Sequence, residues 1–268
     1  PSLQADMVVL AIGVTPDTAL AKEAGLELGI KGSIVVNDRM ETSVPDIYAA
    51  GDAVQVKHYV TGNDALISLA GPANKQGRII ADNICGGDNR YLGSQGSSVI
   101  KVFDMTAATT GINETNAKKS GLEVDTVILS PMSHAGYYPG GKVMTMKVVF
   151  EKKTYRLLGT QIIGYEGVDK RIDVLATAIH AGLKATQLKD LDLAYAPPYS
   201  SAKDPVNMAG FMIDNIAKGT LKQWHLEDMD KISKDKSAVL LDVRTVDEFS
   251  RGHMDGFKNI CLSYTSPS

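Results

Sequence analysis

The sequence predicts an α/β segment, then an α+β domain, then the beginning of a second α/β domain. Three observations support this order. An apolar run at residues 7–12 is followed by a turn-rich segment with a carboxylate at the end of a short strand. Several short strand patterns follow, with few helices between them. A further apolar run, which we predict to be a buried strand ending in polar residues, lies at residues 238–244. We place the three domains at residues 1–97, 98–219 and 220–268.

Composition is ordinary for a globular protein, with 268 residues, 44% of them hydrophobic and 22% charged. The net charge of −3 gives no indication of a nucleic-acid partner or of binding to an anionic membrane. We find no apolar run long enough to span a bilayer and no signal-peptide pattern, so we expect a cytoplasmic protein. Cys85 and Cys261 lie far apart without metal-ligand spacing, and we interpret both as buried or incidental thiols. No metal site is expected.

The first segment reads as a buried strand at residues 7–12, a short helix at 18–24 and a strand at 33–36. The stretch TSVPDIYAAGDA, residues 42–53, then runs through a turn into a short strand at 47–50, which ends at Gly51 and Asp52. A carboxylate held at a strand end suits the vicinal hydroxyls of a sugar or polyol. The alternative is a strand that simply ends in a turn capped by Asp52.

The next feature is a helix with Pro72 in its first turn, ending near residue 86. Ala73, Gly77, Ile80 and Ile84 share one face, where a glycine would permit close packing. The free N–H groups and positive dipole end at the start of this helix favour an anion or a developing negative charge. Packing of the helix against a sheet is the alternative.

Beyond a glycine- and serine-rich boundary the pattern changes to that of an α+β domain of antiparallel strands with helices on one side. Strands are predicted at residues 99–103, 105–111, 124–129, 143–150 and 157–164, and helices at 113–120, 168–181 and 204–217.

Two aromatic segments stand out in this domain. Tyr137 and Tyr138 lie in a tight Gly- and Pro-rich loop, and Tyr195 precedes the pair of prolines at 197–198. Their phenol hydroxyls can donate hydrogen bonds to a thiolate or a phosphate. The alternative is that these tyrosines are half-buried at an interface. We interpret His134 and His180 as structural.

The pattern T-x-x-P-x-I-Y-A-x-G-D-A of residues 42–53 resembles the second flavin motif of the FAD-dependent pyridine nucleotide–disulfide oxidoreductases. The resemblance implies that residues 1–97 are the rear part of a FAD-binding Rossmann-type domain, which includes the end of the NAD domain, and that residues 98–219 are a dimerisation domain. It also implies that Asp52 holds the ribityl chain of FAD, and that the helix start faces the flavin ring. The implied flavin-binding residues are Gly51, Asp52, Ala53, Leu69, Ala70, Pro72 and Ala73.

The aromatic segments resemble those of coenzyme A-disulfide reductases and the related NADH oxidases and persulfide reductases. That resemblance implies a homodimer in which tyrosines cross to the partner's active site, with Tyr137 or Tyr138 and Tyr195 as the catalytic candidates. It implies FAD and NAD(P)H as cofactors and a coenzyme A disulfide or persulfide as substrate. An NADH oxidase or peroxidase is the alternative, and a non-catalytic dimerisation fragment is another.

Residues 241–260 resemble the opening of a rhodanese domain, L-D-V-R-x-x-x-E-F-x-x-G-H-x-x-G-x-x-N-I. Cys261 directly follows the N-I pair and is not at the position of that family's reactive cysteine. The chain contains no G-x-G-x-x-G loop, and its first residue is Pro1. We therefore expect a C-terminal fragment that is inactive alone, with most of the NAD(P)H site outside it and a truncated rhodanese-like domain at its end.

Overall fold

The computed structural model describes residues 3–265, and the side chains of all but the last two of these. The chain divides after Ala217 into two units. Within the described residues, no helix combines the length and apolar character that crossing a membrane requires.

The first part of the first unit is a small sheet with one long helix beside it. Strands β1 and β2 pair in parallel, and β2 and β3 pair antiparallel. Met40, Val54 and Val56 form the core of this part, against which α2 packs Ile79 and Ile80. The elements are α1 (Ala19–Glu23), β1 (Ile34–Val35), β2 (Val54–Lys57), β3 (Asp64–Ala65) and α2 (Ala70–Ile84).

The second part is a five-stranded antiparallel sheet in the order β4-β5-β8-β7-β6, which confirms the predicted α+β fold. Helix α4 packs on β5 and β8, and α5 contacts β6 and α4. The elements are β4 (Ser98–Val102), β5 (Met105–Gly111), α3 (Glu114–Lys119), β6 (Val124–Leu129), β7 (Thr145–Glu151), β8 (Leu157–Gly164), α4 (Val168–His180) and α5 (Pro205–Ala217).

The described residues of the second unit form short elements, among them the parallel strands β9 and β10. Helix α7 begins with a capping box in which the Thr245 hydroxyl accepts from the Glu248 N–H, and the Glu248 carboxylate accepts from the Thr245 N–H. The elements are α6 (Met229–Ile232), β9 (Leu241–Asp242), α7 (Val246–Arg251), β10 (Lys258–Asn259) and α8 (Leu262–Thr265).

Three predicted strands are wrong in part or whole. Residues 7–12 form no strand, and Leu10 is 78% exposed, because no described strand pairs with them. Residues 47–50 make one bridge, between Tyr48 and Glu41, instead of a ladder. The predicted buried strand at 238–244 shrinks to β9, which pairs with β10 alone among the described strands, and Val239 is 71% exposed.

The buried face of α2 also differs from the prediction. Ile84 is 63% exposed, and a Cβ added at Gly77 would meet no atom within 4 Å, so Gly77 makes no close packing. Gln76 and Asn83 are buried instead. The reason is that both amides bind backbone groups of neighbouring segments, and this need decides which face turns inward.

Candidate active site

Residues 51–53 form a single turn directly before β2 and lie against the first turn of α2. Gly51 adopts φ +85, and its N–H donates to Oε1 of Gln76 at 2.8 Å. A Cβ at Gly51 would lie 3.9 Å from the Cβ of Ala73. Gln76 therefore fixes the turn against the helix, and the Asp52 side chain remains exposed beside it.

The first turn of α2 keeps its N–H groups available. Leu69 is the N-cap residue in extended geometry, and no side chain caps the helix. The first turn carries no acidic residue, and Pro72 has no N–H to lose. An uncapped, positively polarised helix start beside an exposed carboxylate fits a ligand that has a polyol chain and a ring edge able to accept negative charge. The predicted flavin-binding residues thus lie on adjoining segments.

The amides that organise this region were missed at the sequence level. The Gln76 side chain holds the Gly51 turn, as described above. The Asn83 side chain accepts from the Asn89 N–H at 2.7 Å and donates to the Asn89 carbonyl at 3.0 Å. The available signal is their spacing of seven residues, which puts both amides on the same helix face as Ile79 and Ile80.

Two of the three candidate tyrosines meet. The hydroxyl oxygens of Tyr137 and Tyr195 are 2.5 Å apart, although the residues are 58 positions apart in sequence. Tyr137 is 75% exposed and Tyr195 is 45% exposed, so the pair is open to solvent. The hydrogen bond to Tyr137 raises the pKa of the Tyr195 phenol.

Tyr138 lies outside this pair. Its ring packs edge-on against the ring of His134, with the ring centroids 5.5 Å apart. His134 is buried, as a structural residue would be, and its Nδ1 lies 3.1 Å from the carbonyl oxygen of Ala135. Of the two adjacent tyrosines, Tyr137 is therefore the one that the structure brings to Tyr195.

A buried arginine beneath the two tyrosine segments was also missed by the sequence analysis. Arg171, on α4, and Asp204, directly before α5, form an ion pair with 3.0 Å between Nη2 and Oδ2, and their side chains are 1% and 3% exposed. An arginine in an otherwise apolar helix face is the only sequence signal for it, since such a residue is seldom buried without a partner.

Two family models match the chain. The model described as "Pyridine nucleotide-disulphide oxidoreductase" covers residues 1–77, and the model for the dimerisation domain of the same family covers residues 97–205. The chain belongs to this family. The antiparallel sheet and the tyrosine pair therefore lie in the part matched by the dimerisation-domain model, and the Asp52 turn lies in the other.

The chain is also similar in sequence to curated proteins of known name. The NAD(P)H sulfur oxidoreductase (CoA-dependent) of Pyrococcus abyssi is 39% identical over 203 residues, which are 76% of this chain and 45% of that protein. The chain spans about half the length of the curated relatives it matches.

Two solved structures are similar over almost the whole chain. The reduced CoADR-RHD of Bacillus anthracis is 48% identical with a TM-score of 0.91, covering 97% of this chain and 47% of that one. The NAD-dependent persulfide reductase from A. fulgidus is 40% identical with a TM-score of 0.88, covering 98% of this chain and 47% of that one.

Proposed function

We propose that the whole protein is a FAD-dependent oxidoreductase that uses NAD(P)H to reduce a coenzyme A disulfide or persulfide. The observation that carries the proposal is the exposed Tyr137–Tyr195 phenol pair in a chain of this family. The names of the relatives support it, since they include a CoA-dependent sulfur oxidoreductase and a coenzyme A disulfide reductase.

The phenol pair suits the protonation of a thiolate. Cleavage of a disulfide releases a thiolate leaving group, which a nearby acid can protonate or hydrogen-bond. When one phenol donates to the other, the accepting phenol keeps its own proton free for the sulfur. The hydrogen bond to Tyr137 raises the pKa of the Tyr195 phenol, so both partners of this bond can serve the site as proton donors at neutral pH and neither as a base.

The flavin half of the proposal uses the turn at Asp52 and the start of α2. These residues would hold FAD, which would supply the redox chemistry between NAD(P)H and sulfur. The Asp52 carboxylate would accept hydrogen bonds from the ribityl hydroxyls. The N–H groups at the start of α2, near Ala70 and Pro72, would stabilise negative charge at the ring edge. Gly51, Ala53, Leu69 and Ala73 would shape the backbone around the ligand.

We also propose a cytoplasmic homodimer with the three domains at residues 1–97, 98–219 and 220–268. The match of residues 97–205 to a dimerisation-domain model supports the dimer, as do apolar side chains such as Ile100 and Ile163 on the uncovered sheet face. Neither Cys85 nor Cys261 forms a disulfide in the part of the chain that the structure describes, which suits a reducing compartment. For the third domain, the rhodanese-like proposal rests on the sequence pattern of residues 241–260.

The test measures electron acceptors with the purified whole protein. We expect NADH or NADPH oxidation that depends on coenzyme A disulfide or persulfide, a flavin absorption spectrum, and little oxygen consumption. Replacing Asp52→Ala should lower the flavin content, whereas Asp64→Ala, an exposed carboxylate on β3, should leave it unchanged. Oxidation that consumes oxygen and ignores the disulfide would contradict the proposal in favour of an NADH oxidase.

A further inference from the structure

We propose that Arg171 is a positioning residue for the phenol pair. Through a buried ion pair with Asp204, it fixes the two loops that carry Tyr137 and Tyr195. The inference rests on the proposed function of these phenols. The way in which Arg171 holds the two loops together can be measured separately from that function.

The ion pair lies at the base of both loops and is shielded from water. Besides the contact through Nη2, Nε of Arg171 donates to Oδ2 of Asp204 at 3.2 Å, so the guanidinium engages the carboxylate through two nitrogens. Oδ1 of Asp204 accepts from the Val206 N–H at 3.0 Å, which ties the carboxylate to the start of α5. Both charges are therefore fixed to helices.

Arg171 also contacts acceptors in both loops. Nη2 donates to the carbonyl oxygen of Ser133 at 2.9 Å, four residues before Tyr137. The same nitrogen lies 3.3 Å from the carbonyl oxygen of Tyr199 and 3.2 Å from Oγ of Ser200, in the loop that carries Tyr195, so these acceptors share its two hydrogens with Ser133 and Asp204. One side chain thus contacts both loops at once, which is geometry that a single lysine ammonium cannot reproduce with its three donors.

Direct contacts between the loops complete the arrangement. The Ala135 N–H donates to the carbonyl oxygen of Ser200 at 2.8 Å. The Ser200 hydroxyl donates to Oδ2 of Asp204 at 2.6 Å. Ala135, before Tyr137, is therefore hydrogen-bonded to Ser200, after Tyr195, and Ser200 is hydrogen-bonded to the ion pair. This network sets the separation of the two phenol hydroxyls.

The backbone makes room for the guanidinium. Gly167 adopts φ +68, and a Cβ there would lie 2.0 Å from Nη1 of Arg171. The Gly167 carbonyl accepts from the same Nη1 at 3.1 Å. Since a buried ion pair contributes little net stability relative to apolar side chains of similar size, stability alone gives weak reason for this arrangement. The need to hold the two loops at a fixed separation explains the arrangement directly.

The test measures the phenols of the chain itself by NMR with carbon-13-labelled tyrosine, assigning Tyr195 with the Tyr195→Phe variant. In the native chain, Tyr195 should titrate above the ordinary tyrosine pKa, and Tyr137→Phe should bring its titration down. The double variant Arg171→Met/Asp204→Leu removes the ion pair without leaving an unpaired buried charge. It should lower the Tyr195 titration as Tyr137→Phe does, with Arg171→Lys in between.

Lys189→Met is the matched control, because it breaks the Lys189–Asp214 ion pair of the same domain, at 2.8 Å, in which neither Arg171 nor Asp204 takes part. It should leave the Tyr195 titration unchanged. A folded double variant in which Tyr195 titrates as in the native chain would overturn the proposal. Loss of folding in both Arg171 variants would also overturn it, since the pair would then hold the domain and not the loops.

A second readout separates this inference from the proposed function. In the whole enzyme, the double variant should lower kcat for disulfide reduction by up to about a hundredfold, as a misplaced catalytic group does, with an unchanged flavin spectrum. If Tyr137→Phe and Tyr195→Phe leave that rate unchanged, the catalytic role of the phenols fails. The titration would still decide whether Arg171 positions them.

Discussion

The antiparallel sheet and the segment at residues 7–12 began as the same kind of prediction and have opposite outcomes. In the sheet, Leu158 of β8 and Val127 of β6 are fully buried, and both strands lie where the apolar pattern puts them. At residues 7–12 the pattern is as apolar, yet Leu10 is 78% exposed. The residues at 238–244 behave like the second case.

The two segments differ in the neighbouring elements available to pair with them and not in their own apolar character. Strand β8 has β5 and β7 on its two sides and α4 on its face, all within this chain. Residues 7–12 have no such neighbours among the described residues. An apolar run therefore predicts that a strand can be buried, while its neighbours decide whether it is.

The largest expected difference in folding stability is between alanine substitutions at a buried leucine and at an exposed one. Leu175→Ala, in α4, removes a side chain with 0% exposure and should lower the free energy of unfolding by about 2–5 kcal/mol. Leu10→Ala should change it by less than about 0.5 kcal/mol. Urea unfolding followed by circular dichroism measures both. Equal losses would show that residues 7–12 are packed after all.

A smaller effect is expected when alanine replaces glycine in the packed sheet and in the exposed helix. A Cβ at Gly159 of β8 would lie 2.1 Å from the Ile112 carbonyl oxygen, so Gly159→Ala should cost about 1–3 kcal/mol. Gly77→Ala in α2 meets open space and should stabilise the helix by about 0.5–1 kcal/mol. Thermal unfolding distinguishes them, and a destabilising Gly77→Ala would restore the close packing predicted from sequence.

The smallest expected effect on folding stability comes from a charged side chain, Glu114, in the domain with the antiparallel sheet. Hydrogen bonds from Lys118 and Lys147 lower the pKa of Glu114 to about 2, from an ordinary value of 4.5. A lowered carboxyl pKa stabilises the fold above pH 4.5, and this stabilisation is lost as the pH falls toward 2.

Replacement by glutamine measures that stabilisation. Glu114→Gln should lower the free energy of unfolding at pH 7 by about 1 kcal/mol or less, because the site is partly solvated. The difference from the native chain should shrink at pH 3. Glu123→Gln, at an exposed pair with Lys153, is the control and should have no measurable effect. A Glu114→Gln deficit that persists undiminished at pH 2 would contradict this assignment.

The sequence predicted the antiparallel strands along the chain and the helices α4 and α5, because local periodicity encodes both. It also directed attention to Asp52, the start of α2 and the tyrosines. It did not predict Gln76, Asn83 or Arg171, whose roles depend on backbone groups far away in sequence. A polar side chain in an apolar helix pattern reveals nothing of its partner until the neighbouring loops are placed.

The most direct measurement of the central claim is a double-mutant cycle on the phenol pair in the whole enzyme, using Tyr137→Phe, Tyr195→Phe and both together, with the rate of coenzyme A disulfide reduction as readout. If the two hydroxyls act as one proton donor, each single variant should lose most of the activity that the double variant loses. Losses that multiply independently, or no loss in any variant, would contradict a catalytic role for the pair.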